Sequence, residues 1–440
     1  MTERRLPRLR RLFPRLGATW LTALLMVTVS LVLGPRRAAA VEVSISCGAV
    51  GQELAQCREG AQAWAKRTGH TVRVVSTPNS ASERLALYQQ LLAGGSTAID
   101  VYQIDVVWPG ILARNLVDLS PFVGDAPAEH FPAIIRNNTV DGRLVALPFY
   151  TDAGVLFYRA DLLKKYGLPV PQTWDEMTDA AQRIQQAERK AGDSGMWGYV
   201  FQGRAYEGLT VNALEWMDSR GGAIVGPEGS VSVDSPAARD ALSLASKWVG
   251  TIAPPGVLNY AEEEARGLFQ SGHAVFMRNW PYAWALAQGA DSPVRGKVGV
   301  AALPSGDPKK GPARHSGVLG GWNLAVSRHS RHIPEAVDLA LYLTSAAEQK
   351  RRAVAAAYNP TRPALYKDEQ VLAANPFFGT LYPSFESAVA RPSRVTGRKY
   401  NRVSSAVANA VHGVLSGRNS AEPALADLAH ELRGMSRHGW

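Results

Sequence analysis

The chain has 440 residues, with 48 Lys and Arg against 38 Asp and Glu, a formal net charge of +10. Most of that excess is local, because the first 40 residues hold eight Arg and one Glu, leaving 40 basic against 37 acidic residues (40 − 37 = +3) in the remaining 400. A nearly balanced remainder removes the main support for binding nucleic acid or anionic membranes, and 400 residues exceed what one hydrophobic core usually serves, so two domains are expected.

Residues 1–40 read as a cleavable secretory signal peptide. Arg4, Arg5, Arg8, Arg10, Arg11 and Arg15 form the basic start, the stretch from Leu21 to Leu33 is the apolar centre, and Ala38, Ala39 and Ala40 offer the small-residue cleavage site. The apolar run is shorter than the roughly 20 residues that span a bilayer, which makes a retained anchor the weaker alternative. Arg10-Arg11-Leu12-Phe13 is a faint twin-arginine pattern, so the export route stays open between the two systems. No cysteine stands at the cleavage point, which argues against lipid attachment and for a periplasmic protein. In such an oxidising compartment Cys47 and Cys57, the only cysteines, read as a local disulfide between the first strand and the first helix. The nine histidines show no ligand-like spacing, and no metal or cofactor is expected.

From Val41 onward short strands alternate with longer helices. Val43 to Ser46, Thr71 to Ser76 and Ile99 to Ile104 are predicted strands, the last ending on Asp105. Gln52 to Arg67, closed by Gly69, and Ser82 to Ala93, closed by Gly94-Gly95, are predicted helices. This alternation predicts a largely parallel sheet covered on both faces, with ligands beyond the carboxyl ends of its strands. That rule points to Gly48–Glu53, Asn79–Arg84 and Asp105–Trp108 as one rim. Asp141-Gly142 is a two-residue hairpin signal, followed by strand material interrupted at Pro148 and Gly154. The strand is expected to break at Pro148, leaving Tyr150, Thr151 and Asp152 between its halves where the chain passes from one lobe to another.

A second α/β pattern follows. Thr173-Trp174-Asp175-Glu176 has capping-box spacing, and Ser235-Pro236 pairs an N-cap with a proline at the first helical position. Trp197 to Phe201 and Ala274 to Arg278 are predicted strands, and a helix opens at Tyr206-Glu207. Lys297 to Leu303 reads as a second crossing and Asn359-Pro360-Thr361-Arg362-Pro363 as a third. The lobes expected from these crossings are residues 41–148 with 304–358, and residues 149–303 with 359–440.

Five stretches in register carry a resemblance: Phe149-Tyr150-Thr151-Asp152-Ala153-Gly154, Tyr206-Glu207-Gly208-Leu209, Arg278-Asn279-Trp280-Pro281-Tyr282-Ala283-Trp284, Leu319-Gly320-Gly321-Trp322 and Ala390-Arg391-Pro392. Together they resemble the sugar-binding proteins of bacterial ABC importers, nearest the trehalose- and maltose-binding branch, over almost all of the chain after residue 40. The resemblance implies an α/β, two-lobed periplasmic binding protein fold with a ligand cleft between lobes and several crossings. It implies ligand contacts from Glu53, Arg84 and Asp105, from Tyr150 and Asp152, and from Glu207, Trp280, Tyr282, Gly321, Trp322 and Arg391. It also implies a non-catalytic monomer that takes a disaccharide and meets the permease subunits of an importer.

The residue chemistry is consistent with that implication: carboxylates and Arg answer sugar hydroxyls, while Trp and Tyr faces cover the apolar side of a pyranose. The alternatives are core packing for Trp280 and Trp322, an exposed helix residue for Arg84 and a helix N-terminal charge for Glu207. The rival class is a secreted glycoside hydrolase using Asp105 and Asp152 as acid and base, and a receptor for a longer maltodextrin is a further alternative.

Overall fold

The computed structural model describes residues 1–2 and 40–440. The signal peptide read over residues 1–40 therefore falls almost wholly outside the described residues.

The first three strands form as expected. β1 (Glu42–Cys47) pairs in parallel with β2 (Thr71–Ser76) and β3 (Val101–Asp105). The intervening helices are α1 (Glu53–Thr68), closed by Gly69 at φ 79°, and α2 (Ala81–Ala93), where the Ser80 hydroxyl accepts from the Glu83 N–H. Cys47, at the end of β1, is disulfide-bonded to Cys57 in the second turn of α1.

Beyond β3 the expectation of a largely parallel sheet fails. The sheet is completed by β4 (Leu147–Ala153) and β9 (Leu319–Val326) in the order β2-β1-β3-β9-β4, and β9 runs antiparallel to both its neighbours. These two strands arrive from distant parts of the chain rather than through a local strand-helix-strand unit, so the parallel rule does not bind them.

The strand also does not break at Pro148. β4 runs through it at the edge of the sheet, where a missing N–H is tolerated, and the register against β9 slips beside Trp322, leaving Phe149 bulged. Tyr150, Thr151 and Asp152 are thus strand residues rather than a loop. The interruption falls at Gly154, after which β5 (Val155–Arg159) enters a second sheet.

That second sheet has the order β8-β5-β7-β6, with β6 (Trp197–Val200), β7 (Ala274–Asn279) and β8 (Val298–Ala302). Only β6 and β7 are parallel. The helix α3 (Trp174–Lys190) opens with the expected Thr173–Glu176 capping box, and α4 (Glu207–Asp218) is buried along its whole length. Trp174, Trp216 and Trp248 pack together beneath this sheet with ring centroids 5.6 Å apart for each of the pairs Trp174–Trp248 and Trp216–Trp248. A separate core under the first sheet is built on Tyr88, Tyr102 and Trp108. The second expected crossing is seen in the passage from β8, in the second sheet, to β9, in the first. At the third, Thr151 and Asn359 make an isolated bridge.

Candidate functional site

The ends of the strands converge as the sheet rule requires. Side chains alternate along a strand, so Tyr150 and Asp152 of β4 share one face, and Trp322 of β9 lies in register with both Tyr150 and Asp105. A single cavity is bounded by these residues, by Glu53 and Gly321, and by Glu207, Trp280, Tyr282 and Arg391 from the far side. Arg84 alone of the expected residues lies outside that lining. It is fully buried behind the wall, with its guanidinium 4.2 Å from the Trp322 ring centroid and 3.8 Å from the Glu53 carboxylate.

On the first-sheet side, Glu53 is the opening residue of α1 and is 3% exposed. It accepts hydrogen bonds from the Tyr150 hydroxyl at 2.5 Å, from the Gln103 amide and from the Val50 N–H at 3.3 Å. Trp322 is braced edge-on by Trp108, with centroids 5.4 Å apart. Gly321 has φ 111°, and a Cβ there would stand 2.5 Å from the Tyr150 carbonyl oxygen, so only glycine lets β9 approach β4 so closely.

On the opposite side, Trp280 follows β7 directly. The Arg278 guanidinium lies 4.0 Å from its ring centroid, and its indole N–H points to Glu262 at 3.4 Å. Glu262 also accepts from the Tyr206 hydroxyl at 2.7 Å. The Tyr282 ring packs on Gly51, and its hydroxyl donates to Glu263 at 2.7 Å.

Arg391 joins the two sides. Its guanidinium donates to Asp105 at 2.7 Å and to Glu207 at 2.8 Å. Glu207, at the start of α4, also accepts from Tyr400 and Ser404, each at 2.5 Å. Burial works against the Arg391 charge, but Asp105, Tyr400 and Glu207 beside it hold the group protonated. Two further links lie at the rim. Arg204 pairs with Glu83 at 2.6 Å, and the Glu207 N–H donates to the Ser82 hydroxyl at 3.2 Å.

The cavity is rich in carboxylates. Burial raises the Asp105 carboxyl, partly offset by Arg391. Burial raises that of Asp152 much further, reinforced by Glu53 and opposed by Arg278. Asp152 is 8% exposed, and its Oδ1 has no hydrogen-bond partner among the described residues. An acceptor without a donor, beside broad aromatic faces, is matched by a ligand that brings hydroxyl groups and a flat apolar surface.

The lining also includes Asn79, which lay on the expected rim, and Tyr206, Glu262 and Tyr358, which were not among the expected contacts. Tyr206 sat inside a recognised motif. Glu262 heads the run Glu262-Glu263-Glu264, which reads as a solvated first turn, and no local signal separates the member of that run that reaches the cavity.

Residues 49–350 match the family of bacterial extracellular solute-binding proteins. The chain belongs to that family. Its relatives include a probable ABC transporter-binding protein of Deinococcus radiodurans, 52% identical over 407 residues, which are 92% of this chain and 96% of that protein. A mannitol-binding protein of Pseudomonas aeruginosa is 27% identical over 355 residues, 73% of this chain and 77% of its own length. Among solved structures, maltose-bound MalE3 of T. maritima superposes with a TM-score of 0.85 at 39% identity, covering 90% of this chain and all of that one. The solute-binding fold is accordingly the two-lobed α/β arrangement, with the cavity described above lying between the two sheets.

Proposed function

We propose that this chain is the substrate-binding component of an ABC sugar importer, exported to the periplasm, where it captures a disaccharide and delivers it to the permease subunits. Trehalose is the first choice and maltose the second. The observation that carries the reading is the pairing, across one cavity, of Trp322 and Trp280 with hydroxyl-accepting carboxylates on both sides. The likeness to a maltose-bound receptor supports it.

In this reading the protein is a monomer without catalytic activity. We take its lobes as the two sheet regions, residues 41–153 with 304–358 and residues 154–303 with 359–440, moving the first boundary from residue 148 to Gly154 because β4 stays in the first sheet as far as Ala153. Ligand contacts come from Glu53, Asp105, Tyr150, Asp152, Glu207, Trp280, Tyr282, Gly321, Trp322 and Arg391. Arg84 supports Trp322 and Glu53 from behind. A sugar held by both lobes favours the closed form, and release to the permease needs the open one, so closure is reversible.

Calorimetric titration of residues 41–440 with trehalose, maltose, sucrose, glucose and mannitol tests this. Saturable heat with a disaccharide and no glucose released from it is the expected result. Glucose release would replace the receptor with a hydrolase, and binding of mannitol alone would replace the disaccharide with a polyol.

A further inference from the structure

Beneath Trp280 lies a polar assembly that does not line the cavity. Arg278 and Glu215 are both fully buried, and the guanidinium donates twice to the carboxylate, at 2.8 and 2.5 Å. Its remaining nitrogen donates to Gln202 at 3.3 Å, and the Arg278 plane covers the face of Trp280. The Glu215 carboxylate also accepts from the Val318 N–H at 3.2 Å, immediately before β9. Gly154, between β4 and β5, packs so closely on the same pair that a Cβ there would collide with both charged groups. The Gly154 N–H in turn donates to the Val318 carbonyl at 3.4 Å. Two segments linking the sheets thus meet over one buried ion pair, and that pair holds the underside of a cavity tryptophan.

At its benzo edge Trp280 has little freedom. A Cβ on Gly320 would come within 2.8 Å of the indole. The ring is thus bounded by β9 at this edge and by a guanidinium, whose donors are committed, at one face. A buried pair of this kind is a poor source of net stability, since desolvation offsets its attraction, but its fixed planar geometry is well suited to orienting what stacks on it.

We propose that Glu215 and Arg278 are positioning residues for sugar binding, fixing the Trp280 ring plane relative to the linking segments on which the lobes move. This rests on the sugar-receptor reading. Neither residue touches the ligand; each acts through Trp280.

A double-mutant cycle tests the idea, using Arg278→Lys, Trp280→Leu and the two combined in residues 41–440. Lysine keeps the charge but loses the planar stack, so Arg278→Lys is expected to weaken the bound disaccharide about tenfold, in the range of a desolvated cation–aromatic contact. In the Trp280→Leu background the same change should cost less than about twofold. Near-ultraviolet circular dichroism of the ligand-free protein should show Arg278→Lys altering the indole bands, and no such change once Trp280 is absent. Equal loss in both backgrounds, or unchanged affinity and indole spectrum in Arg278→Lys, overturns the proposal. If wild type bound no sugar at all the receptor reading would fail, while the dichroism comparison would still decide whether Arg278 orients Trp280. Should Arg278→Lys not fold, Glu215→Gln carries the same cycle with the same criteria.

Discussion

The two sides of the cavity are built from the same three parts, a carboxylate, a buried arginine and a tryptophan stacked on its guanidinium, yet the parts are joined differently. On one side Glu215 grips Arg278 at 2.5 and 2.8 Å and stands outside the cavity. On the other, Glu53 is 3.8 Å from Arg84, lines the cavity itself, and spends its hydrogen bonds on Tyr150, Gln103 and Val50. Arg84 donates from Nε to the Pro78 carbonyl, and its Nη1 and Nη2 have no hydrogen-bond partner among the described residues. The Glu215 unit is closed on itself, whereas the Glu53 carboxylate meets its arginine at longer range and faces the cavity. On the sugar-receptor reading the same stack would serve as a fixed wall in one place and a responsive one in the other.

The largest effect that would break this comparison lies in stability. Glu215→Ala leaves Arg278 charged, buried and unpaired, and should cost about 3–5 kcal/mol of unfolding free energy, read from urea denaturation. Glu53→Ala should cost less, about 2 kcal/mol, because Arg84 meets its carboxylate only at 3.8 Å and makes no hydrogen bond to it. Equal losses would mean that the two units are energetically the same.

Asp152 sits between the units, raised by its burial and by Glu53 on one side and lowered by Arg278 on the other. Because its folded-state pKa is raised, the unfolded chain gives up this proton first as pH rises. Stability from this group is therefore present in acid and is lost above the ordinary aspartate range of about 4. Asp152→Asn removes the ionisation, so the ligand-free variant should be more stable than wild type by about 1–2 kcal/mol at pH 7.5. The gain should vanish towards pH 4 while sugar affinity falls. Melting temperatures of the two proteins across that range check the sign.

The smallest effect belongs to the rim. Arg204 and Glu83 are each about half exposed, so Glu83→Gln should weaken sugar binding no more than about twofold, and the difference should disappear in high salt. A larger or salt-resistant loss would move the responsive contact from Glu53 out to the rim.

Much of this arrangement is legible in the sequence, wherever local chemistry decides. The Thr173 capping box, the Asp141-Gly142 turn and the Ser235-Pro236 helix start form as read, because each is settled within a few residues. Pro148 misleads because a proline forbids only a central ladder position, and whether β4 is central depends on β9, which lies far along the chain. The expected contacts other than Arg84 gather at one cavity because the motifs occupy strand ends and helix starts. The resemblance implies Arg84 as a ligand contact, but stacking on Trp322 draws it behind the wall. Glu262 escapes a local reading because its place at the cavity is set by Tyr206 and Trp280, residues distant in sequence.

The rim pair has a consequence for how such a receptor can change over time. Arg204 and Glu83 bridge the entrance without lining the cavity. On the proposed opening and closing of the lobes, a substitution there would alter how often the protein is shut and not how any one solute fits, multiplying the dissociation constants of all solutes by one common factor. Retention and taste would then be inherited separately. On that reading a lineage facing scarce sugar could lengthen the dwell of its cargo by tightening the entrance, with slower hand-over to the transporter, and keep its order of preference among sugars unchanged.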